Sequence, residues 1–66
     1  SMATARYEVD DGHYNLACIY AMSGQRDKLL RELETLSAAS KEAVRAHLHD
    51  YFCNYANDDD FTKLLH

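Results

Sequence analysis

The chain has 66 residues, a formal net charge of -4, 47% hydrophobic residues, no proline and two glycines. That length makes one small domain, which buries roughly 60% of the surface its unfolded chain exposes and has little depth for a catalytic cleft. The composition is too apolar for disorder, the charge is wrong for gripping nucleic acid or an anionic membrane, and no apolar run approaches the roughly 20 residues of a membrane span.

Scarce breakers and abundant Ala, Leu, Glu, Lys and Arg predict an all-α fold. Ser1-Met2 reads as a cloning-vector scar, with residues 3–66 as a single helical domain, a possible segment of a longer protein. Cys18 and Cys53 are the two cysteines. One available pair and no signal peptide argue against a disulfide framework and suit a reducing cytoplasm. Cys18, set among Leu16, Ala17 and Ile19, reads as a small core residue.

In chain order, residues 3–9 are ambiguous: Tyr7 and Val9 could pack, as a turn or as an extension of the first helix. Asp10 or Asp11 suits an N-cap, with negative charge at the positive end of the helix dipole. The first helix is predicted over Asp11 to Met22. Leu16, Ile19, Tyr20 and Ser23 fall at i, i+3, i+4 and i+7, and His13, Ala17 and Tyr20 form a second stripe. Apolar residues cover more than half of its surface, so it is expected between neighbours. Ser23-Gly24 ends it, because glycine suits the left-handed C-cap.

A second helix is predicted over Arg26 to Ala38, with Leu29, Leu30, Leu33 and Leu36 on its dry face. So short a break between the two implies an antiparallel hairpin. Ser40 is the expected cap of a third, amphipathic helix over Lys41 to Tyr55, whose stripe is Val44, Leu48, Tyr51, Phe52 and Tyr55. Asn57 to Asp60 ends it and caps a short C-terminal helical turn, with Phe61, Leu64 and Leu65 closing the core. Of the five tyrosines, Tyr20, Tyr51 and Tyr55 read as core with hydroxyls at the rim.

The stretch His13 to Leu36 resembles one tetratricopeptide repeat (TPR). His13 stands where that family prefers an aromatic residue, Leu16-Ala17 at its Leu-small pair, Tyr20 at its tyrosine and Gly24 at its break. The second helix departs from the pattern: Leu29 and Leu36 replace small residues, Leu33 stands where an aromatic is common, and no proline closes the repeat. The likeness covers under half of the chain; the tail Asp58 to Leu65 weakly resembles the segment that follows a last repeat. It implies a hairpin that recognises protein rather than performs chemistry. Asn15 falls at the asparagine of the carboxylate-clamp subset, but the first helix carries no Lys or Arg to complete a clamp. A solenoid needs about three repeats for a continuous core. The third helix therefore caps the hairpin, or the chain belongs to a longer array, or it self-associates.

Chemistry is poorly represented. His49 and Cys53, four apart on the predicted third helix, are the one nucleophile-base or zinc-ligand pair; His47 would point roughly 160° away from His49. Asp58 to Asp60 lacks the alternating oxygen ligands, mid-loop glycine and terminal glutamate of a calcium loop and reads as a solvated helix cap. The expectation is therefore a non-enzymatic protein–protein interaction module, with no cofactor, metal, small-molecule substrate, nucleic acid or membrane. It would bind a protein partner or a second copy through the first-helix face, at Tyr7, His13, Tyr14, Ala17 and Ala21. The alternative is a structural C-terminal cap of a longer helical array.

Overall fold

A computed structural model describes residues 11–66; the ambiguous segment 3–9, Tyr7 and the candidate cap Asp10 lie outside them. The described residues are all-α, with four helices and no strand. They are α1 (Asp11–Met22), α2 (Arg26–Thr35), α3 (Ala38–Ala46) and α4 (Asp59–Leu64), with a single 3-10 turn at Cys53–Tyr55 between the last two.

α1 ends on a glycine for a steric reason. Gly24 sits at φ +72°, the left-handed region that a Cβ disfavours. Its N–H bonds the Ala21 carbonyl at 3.4 Å, and the Gln25 N–H reaches back to Tyr20 at 2.9 Å. Those paired bonds satisfy carbonyls that the last helical turn would otherwise leave open. The chain reverses at once. Near the start of α1, His13 Nδ1 bonds Glu32 Oε1 in the last turn of α2. Near its end, Lys28 Nζ lies 6.0 Å from the Tyr20 ring centroid. These contacts run in opposite chain directions, the register of an antiparallel pair.

α2 ends at Thr35, three residues before its predicted end. Leu36 and Ser37 turn extended, which lets Leu36 drop into the core. Ser37, not Ser40, caps α3: its Oγ accepts from the Ser40 N–H at 3.1 Å, and the two hydroxyls lie 3.1 Å apart. Ser40 is buried inside the first turn instead. Two serines three residues apart each suit the cap; the one whose backbone is extended takes it.

The third helix is likewise shorter than its apolar stripe. It stops at Ala46, and residues 47–51 form turns. The run His47, Leu48, His49, Asp50, Tyr51 is rich in weak helix formers, and His47 Nδ1 pairs with Asp50 Oδ2 at 3.1 Å within the turn. Leaving the helical path brings Phe52 and Tyr55 inward, with ring centroids 5.9 Å and 5.7 Å from Phe61. Tyr51, expected in the core, is 46% exposed beside His47.

α4 is anchored by one carboxylate. Asp58 accepts from the N–H groups of Asp60 (3.1 Å) and Phe61 (3.2 Å) as its N-cap. The same carboxylate receives Arg26 Nε at 2.8 Å and Nη2 at 3.1 Å, and Nη2 also reaches Asp60 at 2.9 Å. The start of α2 is thereby tied to the start of α4. At the far end, the Arg45 guanidinium hydrogen-bonds the Leu65 carbonyl, joining α3 to the end of α4.

Candidate interaction surface

The candidate surface lies on α1, whose two sides differ in kind. Its inner side packs chiefly on α2 and more lightly on α3. At the contact with α2 stand Ala17, fully buried, and Ala21, 3% exposed. In the same core cluster α2 contributes Leu29 and Leu33, both fully buried. Leucines on one helix leave room only for small side chains on its neighbour, so the alanines set how closely the helices approach.

The outer side holds the larger apolar residues. Leu16 is 39% exposed, Ile19 54% and Met22 69%. They follow one another at three-residue steps along a single strip, with Gly12, Asn15 and Ser23 between and beside them. From Gly12 to Gln25 the chain contains no Asp, Glu, Lys or Arg. A surface helix of a globular protein normally carries charge on its wet face, whereas one that is apolar all round is normally covered all round.

The structure redistributes the predicted contact residues. Ala17 and Ala21 lie in the core and offer no surface to a partner. They belong to the expected face of α1, and at their positions that face is turned into the core. Tyr14 is half-buried, its ring centroid 6.5 Å from Phe52. Burial first, then the neighbouring Cys18, Tyr51 and Asp50, pushes its hydroxyl up to about 12. Burial also raises the Cys18 thiol, partly offset by Tyr14 alongside it, which is the opposite of an activated nucleophile. His13 is exposed but engaged with Glu32.

The Cys-His pair loses the frame that would align it. His49 lies in the turn and Cys53 in the 3-10 segment, both exposed, with no helix running through them. Among the described residues, no group of three or more His, Cys, Asp or Glu side chains converges as a metal site would require. None of the described helices is long and apolar enough to cross a membrane.

Leu16, Ile19 and Met22 were not among the predicted contacts, although Leu16 and Ile19 belong to one of the two stripes of α1. The signal that separates the stripes is volume. A leucine-rich α2 requires small residues opposite, and Ala17 and Ala21 supply them.

No protein-family model matches the chain, and no curated protein or solved structure matches it significantly.

Proposed function

We propose that this chain is a small helical protein–protein interaction module whose docking face is the outer strip of α1. The TPR resemblance of His13 to Leu36 supports the class of job. One observation carries the reading: Leu16, Ile19 and Met22 stand exposed together on an uncharged strip of one helix. Exposed apolar residues scattered singly need no explanation, but a contiguous strip on a fixed helix marks a contact surface. Association would remove that strip from water at roughly 25 cal/mol per Å². In this reading Tyr14 and His13 hold α1 to the rest of the domain and do not meet the partner.

Photo-crosslinking tests this directly. A photoreactive residue at Ile19 or Met22 is expected to give discrete protein adducts in cells of the source, while one at Glu34 or Lys41 gives none. Equal labelling from all four positions would remove the assignment.

The same asymmetry favours a second reading, the terminal cap of a helical array. Terminal repeats turn a polar face to water and an apolar face to their neighbour; α2 exposes Arg26, Asp27, Lys28 and Arg31 while α1 exposes its apolar strip. A monodisperse, cooperatively melting protein at about 10 μM supports the module, and an aggregated or molten one supports the cap.

A further inference from the structure

We infer that the cavity between α3 and the end of α4 is a binding site for a phosphate group carried by a small molecule. The cavity is open and measures about 500 Å³, with Ala38, Lys41, Arg45, Leu65 and His66 around it. That volume falls within the roughly 300–1,000 Å³ of small-molecule sites. The inference stands apart from the α1 strip and from the protein-interaction reading.

The wall of this cavity reverses the charge of the chain. The whole chain carries -4, yet two cations and no Asp or Glu side chain line the cavity. Two other cavities differ in this respect. The one at the start of α2 includes Asp27, and the one between α2 and α4 includes Glu34 and Asp60. Ala38, Lys41 and Arg45 follow at i, i+3 and i+7, so α3 carries them on one face. Neither cation has a carboxylate partner among the described residues, whereas Arg26 is spent on Asp58 and Asp60. Glu42, three residues before Arg45, is not part of the lining.

The donors are also partly fixed in advance. Arg45 donates to the Leu65 carbonyl, which uses one of its five N–H groups and occupies the carbonyl that would otherwise repel an anion. Half-buried Lys41 adds an ammonium, and the His66 ring offers an N–H in either tautomer. Ala38 is the first residue of α3, so the positive end of that helix's dipole adds to the same field. Donor groups from three residues suit the three free oxygens of a phosphate ester better than the two of a carboxylate. Ala38 and Leu65 leave an apolar wall for the group that bears the phosphate.

The test is a titration of the whole chain with inorganic phosphate to about 20 mM at constant ionic strength, read by amide and arginine side-chain chemical shifts. Saturable shifts are expected at Ala38, Lys41, Arg45 and His66, with a dissociation constant on the order of 1–10 mM. Phenyl phosphate should bind more tightly. Lys41→Gln is expected to melt like the wild type and bind about fivefold more weakly. Arg45→Lys keeps the charge, loses the fork and should weaken binding as well; it serves if Lys41→Gln unfolds.

Shifts that do not saturate, or that are as large at the exposed Arg31 of α2, overturn the site, because any solvated cation would give them. Acetate bound as tightly as phosphate overturns the phosphate assignment. Unchanged affinity in both variants removes the cavity from the binding. An α-carboxylate on His66 competes for the same donors, so the titration is repeated on the C-terminal amide, where binding at least as tight is expected. No binding by either form overturns the site and leaves the α1 reading untouched.

Discussion

The two sides of α1 reverse the usual arrangement of a surface helix. Its buried side is built from alanine, and its exposed side from leucine, isoleucine and methionine. Side-chain size therefore does not tell inside from outside on this helix. The neighbour does: α2 fills the shared space with Leu29 and Leu33, so α1 contributes only small groups there. What the outer side gains in apolar bulk is available to something beyond the described fold.

The largest effect should come from emptying the core that the inner side joins. Phe52→Ala removes a fully buried ring packed on Phe61 and near Tyr14. A loss of about 3–5 kcal/mol is expected in denaturant unfolding, a large fraction of the stability of a domain this size. A loss below about 1 kcal/mol would mean that the inner side of α1 is not held as described.

The next test sets the two sides against each other. Ala17→Leu adds volume where α2 leaves none, and about 1–3 kcal/mol of destabilisation is expected. Leu16→Ala deletes from the outer side as many atoms as Ala17→Leu adds to the inner one, yet should cost less, because Leu16 is already partly in water. The reverse order, measured as shifts in denaturant midpoint at constant m-value, would exchange inside and outside.

A smaller effect concerns the frame beneath that packing. Arg26 beside Asp58, reinforced by the N–H groups of Phe61 and Asp60, holds the Asp58 carboxyl at about 2 instead of its ordinary 3.8. Asp58 in turn raises the Arg26 guanidinium. A carboxylate whose folded pKa is depressed contributes stability above its unfolded pKa and loses it as pH falls through the folded one. The Asp58 contribution is thus present above about pH 4 and fades between about pH 4 and pH 2. Arg26→Gln should flatten the acid limb of stability against pH in that window and leave the α1 strip unchanged. The pair is exposed, so the change is modest.

The smallest effect is expected at the strip itself. Met22→Lys and Ile19→Glu should each change folding stability by no more than about 0.5 kcal/mol, measured on dilute monomer. Severe destabilisation there would show that the strip already serves the fold.

Much of the fold was legible locally. α1 runs over its predicted span Asp11 to Met22, because its periodicity ends at a glycine with an unmistakable stop. The all-α class followed from composition and breaker scarcity. Boundaries governed by competition were not legible. Ser37 and Ser40 both suit a cap, and the entry of Leu36 into the core chooses between them. The Val44 to Tyr55 stripe reads as one helix from its spacing; Val44, Phe52 and Tyr55 are indeed buried, yet they reach the core along a path bent through residues 47–51. Of the candidate surface, the burial of its members was not legible: Ala17 and Ala21 were placed on the wet side of α1, and both are buried.

The sequence by itself determined the helical class, the glycine-stopped first helix, the short hairpin connection and the absence of charge from Gly12 to Gln25. These follow from local propensity, steric limits on φ and composition, none of which needs a neighbour. Tertiary structure alone decided which stripe of α1 is buried and which serine caps α3. Each of those is a competition between nearly equal local choices, and it is settled by volume at a contact that only the packed chain creates.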